Sequence, residues 1–151
     1  MKKHTALTPD IISGLFILLF FYAASSKLLD YQKFRIQLGK SPLLAPFATW
    51  MSWIVPALEI GIAIALCFKS SQIKALYAAF SMMVVFTAYI VVILNFSEYI
   101  PCSCGGILEN MSWRQHLVFN ILFTLLGVAG VLSYPIEKRS IAIEGEAENL
   151  V

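Results

Sequence analysis

Gly14-Leu15-Phe16-Ile17-Leu18-Leu19-Phe20-Phe21-Tyr22-Ala23-Ala24 carries no charge. It is the middle of an apolar run over residues 11–29, close to the ~20 residues a helix needs to cross a bilayer. Pro9 and Asp10 stand before the run and suit a helix start. Lys27 closes it, a cation placed to snorkel at a helix end. A secretory signal peptide is the rival reading, with Lys2 and Lys3 as its basic start and the small residues Ala23 to Ser26 before a cleavage point. The apolar stretch is long for that purpose, so it is taken as the first of several spans.

Three further apolar runs follow. The second lies within residues 43–68. Trp50 and Trp53 read as an aromatic belt, which puts residues 43–52 at the interface and the core of the span at 54–68. The third covers residues 75–96. The fourth covers 116–134, with Pro135 expected to end it. Between the first two spans, residues 30–42 mix Asp30, Lys33, Arg35 and Lys40 with Tyr31, Phe34, Ile36 and Leu38, the pattern of a short helix lying on the membrane. Residues 69–74 form a tight polar turn, and residues 137–151 a charged tail expected to be disordered.

The composition agrees. Of 151 residues, 59% are hydrophobic and 13% charged, and mean hydropathy is +0.78. Soluble domains carry roughly twice that share of charge. The expected fold is therefore all-α: an antiparallel bundle of four transmembrane helices over residues 1–136, followed by the tail at 137–151. The net charge of +2, with no basic patch interleaved with aromatics, gives no reason to expect a nucleic-acid partner. The expected surroundings are the lipid bilayer, and an oligomer is left open.

Four spans put both termini and the 69–74 turn on one side. That side carries Lys2, Lys3, Lys69, Lys74, Lys138 and Arg139, and the other carries Lys27, Lys33, Arg35, Lys40 and Arg114. The totals barely differ. Lys2, Lys3, Lys138 and Arg139 hug the helix ends, which places the termini in the cytoplasm of a bacterium. The loop between spans three and four then faces the periplasm, where disulfide chemistry is at home.

That loop, residues 97–115, holds Pro101-Cys102-Ser103-Cys104-Gly105-Gly106. A disulfide between residues i and i+2 closes a small ring and tends to be strained. Strain makes such a bond labile, as redox-active bonds are. Gly105 and Gly106 leave the neighbouring backbone adaptable. Cys102 and Cys104 are thus the candidate catalytic residues. Metal binding is the rival use, with His116 and an acid completing a zinc site, but the usual C-x2-C spacing is missing and no metal is expected. A plainer reading makes them two ordinary loop cysteines. The third cysteine, Cys67, reads as a small buried apolar residue at the opposite surface.

Four other residues are singled out. His116 and Asn120, spaced i, i+4, share one face at the start of span four. An imidazole there could favour a thiolate or shuttle its proton; alternatively both residues only cap the helix and bond loop backbone. Glu59, three residues after Pro56 in apolar surroundings, is costly in lipid and is expected to face the bundle interior. Lys27 can reach it, and the pair serves either as structural glue or as a proton relay. Tyr89 and Asn95 read as interhelical hydrogen-bonders, and Met82 and Met83 as packing.

Ser26-Lys27-Leu28 with Phe34, then Pro56-Ala57-Leu58-Glu59-Ile60 with Gly61, then Cys102-Ser103-Cys104-Gly105-Gly106 together resemble the DoxX/MauE family of four-helix membrane proteins, over about residues 11–134. The cysteine pair resembles the MauE branch, although Gly105 stands where members of that branch often have an aromatic residue. The resemblance implies an inner-membrane bundle, a link to periplasmic maturation of the disulfide-rich small subunit of methylamine dehydrogenase and, from the DoxX side, quinone as a possible electron acceptor. It carries over a role for Cys102 and Cys104, with Lys27 and Glu59 as pattern positions without an assigned task.

The function expected from the sequence is thiol–disulfide exchange with a periplasmic thioredoxin-like protein or a secreted client. Two readings compete with it. One is a non-catalytic scaffold subunit of a larger complex. The other is a small transporter with Glu59 and Lys27 on its path, which four short helices make unfavourable.

Overall fold

The computed structural model describes the backbone of residues 3–41, 43–96 and 112–148, and the side chains of residues 9–41, 43–96 and 112–133. The described residues are helical throughout, apart from turns, and contain no strand. Helix α1 spans Lys3–Leu29, α2 Tyr31–Lys40, α3 Ala48–Cys67, α4 Gln72–Phe96 and α5 Trp113–Glu148, with one 3-10 turn at Ala45–Phe47 before α3. Four segments are long and apolar enough to cross a membrane: Pro9–Leu29, Ala45–Cys67, Gln72–Phe96 and Trp113–Ser133. In hydrocarbon every backbone N–H and C=O must be satisfied within the chain, so an apolar segment of this length resolves as a helix.

The connections between α1 and α2 and between α3 and α4 are short and stopped by local chemistry. Only Asp30 separates α1 from α2. Ser41 ends α2 by turning extended, its N–H returning to the Leu38 carbonyl at 3.1 Å. At the far end of α3, the Ser71 hydroxyl donates to the Ala65 carbonyl at 2.7 Å, taking up one of the last carbonyls that have no intrahelical partner. The chain then reverses into α4.

Helix α1 packs against α3 and α5, and α4 against the same two, so α1 and α4 lie diagonally across an antiparallel bundle. The core is aromatic and aliphatic, centred on Phe16, Phe20, Leu76 and Met83. The Phe16 ring stacks on Phe20 at 5.8 Å and meets Phe123 edge-on at 5.6 Å. Close approach of α5 to its neighbours depends on glycine. A Cβ on Gly130 would lie 2.9 Å from Cγ2 of Ile12 on α1, as expected where small residues set interhelical distance. The outer surface carries exposed Leu18, Phe21, Val85 and Leu125, which lipid rather than water would cover.

Several sequence expectations are met and some are not. Residues 31–40 form the short connecting helix. Residues 48–53 are part of α3, so Trp50 and Trp53 project, exposed, from its first turns. Helix α5 runs through Pro135 instead of ending there. Cys67 is exposed, because it is the last residue of α3, with its thiol turned back toward the Ala63 carbonyl at 3.3 Å. Asn95 is exposed and bonds within its own helix, to the Val91 carbonyl at 2.7 Å.

Replacing Gly130 with leucine is expected to force α1 and α5 apart and cost about 1–3 kcal/mol, read as a lower Tm of the purified protein in detergent. Gly14→Ala, at a position where a Cβ meets nothing within 4 Å, should not lower it.

Candidate functional site

At the end of the bundle where α1 finishes and α5 begins, polar side chains turn inward. Glu59 is fully buried on α3. Lys27, near the end of α1, reaches across so that Nζ lies 2.7 Å from Glu59 Oε1, and its side chain keeps only 13% exposure. The same ammonium donates to the Ala23 carbonyl at 3.3 Å and lies 5.9 Å from the centre of the Phe34 ring. A carboxylate in apolar surroundings needs such a partner. The expected Lys27–Glu59 pairing is therefore present. The second carboxylate oxygen, Oε2, is buried without a hydrogen-bond partner among the described residues.

Helix α5 supplies the opposite wall. Its start is fixed by a reciprocal capping box. Gln115 N–H donates to Ser112 Oγ at 3.3 Å, and Ser112 N–H to Gln115 Oε1 at 2.9 Å. Ser112-Trp113-Arg114-Gln115 carries this signal in the sequence, and it places the helix start before the expected position at 116, so His116 and Asn120 are not the caps. Freed from capping, His116 points inward. Its ring stacks near Trp113 at 6.2 Å, and its Nδ1 is buried without a hydrogen-bond partner among the described residues. Asn120 is also buried, and its amide donates to the His116 carbonyl at 2.9 Å. The two share one face, as the i, i+4 spacing requires.

Helix α2 lies over this end and is tied down by hydroxyls. Tyr89 on α4 donates to Ser41 at 2.9 Å, the interhelical bond expected of it, and Ser52 on α3 donates to the Tyr31 hydroxyl at 3.1 Å. Phe34 and Leu38 bury against Ala48. The alternation of apolar and charged residues in α2 signals the helix, but not which span it covers.

Together these elements line a partly open cavity of about 220 Å³. Lys27, Glu59, His116, Asn120 and Tyr89 are its polar residues, and the remainder of the lining is apolar and aromatic. The structure thus gathers at one site all four of the supporting residues singled out from sequence. Cys102 and Cys104 lie outside the described residues. The chain leaves α4 at Phe96 and re-enters at Ser112, both at this end of the bundle.

The family described as methylamine utilisation protein MauE matches residues 5–133. The chain belongs to the MauE family. The match spans every residue that lines the cavity and also the Cys102–Cys104 segment. No curated protein and no solved structure matches the chain. It is a multi-pass membrane protein of a family tied to methylamine utilisation.

The burial of Glu59 makes the two members of the ion pair unequal. Lys27→Met leaves a fully buried carboxylate alone and is expected to cost about 3–5 kcal/mol. Glu59→Leu should cost less, because Lys27 can snorkel to the interface. The double variant should recover most of the loss, as a double-mutant cycle on unfolding in detergent would reveal.

Proposed function

We propose that this MauE-family protein is a thiol–disulfide redox protein of the bacterial inner membrane, with Cys102 and Cys104 as its exchanging pair on the periplasmic side. The observation that carries the reading is positional. The segment bearing both thiols joins α4 to α5 at the end of the bundle where Lys27, Glu59 and His116 gather. A dithiol needs groups nearby that can stabilise a thiolate and move protons. Buried ionisable residues inside a membrane bundle mark function more often than packing.

The chemistry is an exchange in two steps. One cysteine, as thiolate, attacks a sulfur of a partner's disulfide, and the partner's other sulfur leaves as a thiolate. The second cysteine then attacks its neighbour's sulfur in the mixed disulfide. This closes the Cys102–Cys104 bond and releases the partner with two thiols. Two electrons and two protons pass to the partner; the reverse sequence oxidises it. A thioredoxin-like periplasmic protein or a secreted disulfide-rich client fits the partner's role. The basic residues flanking the first and last apolar spans, Lys2, Lys3, Lys138 and Arg139, support a cytoplasmic placement of the termini.

Thiol trapping in intact cells tests the reading. The background is Cys67→Ser, needed because Cys67 is itself exposed. Cys102 and Cys104 should accept a membrane-impermeant alkylating reagent only after mild reduction. Single Cys102→Ser and Cys104→Ser variants should each capture a mixed disulfide with another protein. Free labelling of both cysteines without reductant, and no captured partner, would contradict it.

A further inference from the structure

The cavity draws its lining from all four spans and is open on one side of the bundle. Its polar side chains are engaged within the protein. Lys27 bonds Glu59 and the Ala23 carbonyl, Tyr89 donates to Ser41, and Asn120 donates to the His116 carbonyl. Glu59 Oε2 and His116 Nδ1 are buried with no accessible surface, so an occupant meets neither. What the cavity offers is apolar wall, with Ala23, Met51, Val55, Val85 and Phe86 among its residues. Apolar wall that faces empty space forfeits its dispersion contacts, and apolar cavities of this order take up apolar guests.

The place of the opening selects the guest. Val85 lines the cavity and is 63% exposed. It stands near the middle of α4, whose whole length, Gln72–Phe96, is apolar enough to cross a membrane. On the same helix, Phe80 packs at the position of Gly127, and Thr87 lies 3.4 Å from Thr124, both on α5. At roughly 100° per residue, Val85 faces away from both. The opening is therefore on the α3 side of α4. Near their turn α3 and α4 close together through Ala63, Leu66, Ala75 and Ala79. Farther along, Val55 on α3 and Phe86 on α4 line the cavity instead. The medium outside an opening at mid-span is the hydrocarbon core of the bilayer, which holds acyl tails and neither water nor headgroups. We propose that this cavity seats one acyl chain of a bilayer phospholipid, which enters sideways between α3 and α4 at Val85 and lies against Val55 and Phe86, its headgroup staying at the interface. A chain seated there also keeps water from the Lys27–Glu59 pair, whose attraction is strongest where solvent is excluded. Neither Cys102 nor Cys104 takes part, so the inference stands or falls apart from the thiol reading.

The test uses the full chain in lipid nanodiscs containing phosphatidylcholine with a diazirine midway along one acyl chain. After irradiation, mass spectrometry of peptides maps the residues that the chain touches. Ala23 is the diagnostic position. It follows Phe16 and Phe20 on the inward stripe of α1, at i+7 and i+3, and α1 lies diagonally across the bundle from α4. A chain outside α4 does not reach it. Labelling of Ala23 is expected, along with the outward residues Leu18, Phe21 and Leu125 that any surrounding lipid meets. Val55→Trp, which fills the seat, should abolish labelling of Ala23 and leave that of Leu125 unchanged. If that variant does not fold, Val85→Trp, at an exposed position, narrows the opening and decides. Three results would each overturn the proposal. One is labelling confined to the outward residues. Another is labelling of Ala23 that survives the tryptophan substitution. The third is labelling of Ala23 by a free fatty acid carrying the same diazirine but not by the phospholipid, which would make the seat one for the free acid.

Discussion

A carboxylate with no exposure, in a helix long and apolar enough to cross a membrane, is the constraint around which one end of this protein is arranged. Glu59 can be there because Lys27 reaches it from α1. The demand is strict in hydrocarbon, where no water can stand in for a missing partner. Meeting it fixes α1 against α3 and brings the end of α1 inward. The Lys27 ammonium then lies near the Phe34 ring of α2, so the short helix has something to cover. The hydroxyl bonds from Tyr89 to Ser41 and from Ser52 to Tyr31 hold that cover in place.

The two ends of the bundle handle polarity differently. At the end opposite the cavity, Asp10 bonds Lys69 and Gln72, and Gln72 also bonds Ser13. The Lys69 side chain is 69% exposed and that of Asp10 42%. Such a pair is screened and worth little; it closes the α3–α4 turn onto α1. At the cavity end the charges are buried, and Glu59 Oε2 and His116 Nδ1 lack hydrogen-bond partners among the described residues. Structural polarity is normally satisfied, so the contrast directs functional reading to the cavity end.

Much of the fold is legible from residue type because lipid simplifies the rules. Apolar runs of about twenty residues gave the spans, and Glu59 betrayed an inward face because an ionisable residue cannot face hydrocarbon cheaply. What failed shares a cause. In a membrane protein the apolar residues lie outside as well as inside, so hydrophobicity does not say which way Cys67 or Asn95 points. Ser112 and Gln115 did carry a readable signal, a capping box, and it moves the start of α5 three residues upstream of His116. The cavity was not readable. It depends on where α2 settles and on how α5 lies beside α4, and both are set by packing between distant residues. Lys27, Glu59, His116 and Asn120 are each legible singly, by charge or spacing, but the cavity that unites them is not.

The most direct test of the account is the Lys27–Glu59 contact itself, in a bilayer. Solid-state NMR on the protein in lipid, with 15N at Lys27 Nζ and 13C at Glu59 Cδ, measures the dipolar coupling between the two atoms. The account predicts strong dephasing, that of an ammonium hydrogen-bonded to the carboxylate. Absence of dephasing with both resonances visible and sharp would mean that the pair does not form in the membrane, and the arrangement of helices around the cavity would fall with it.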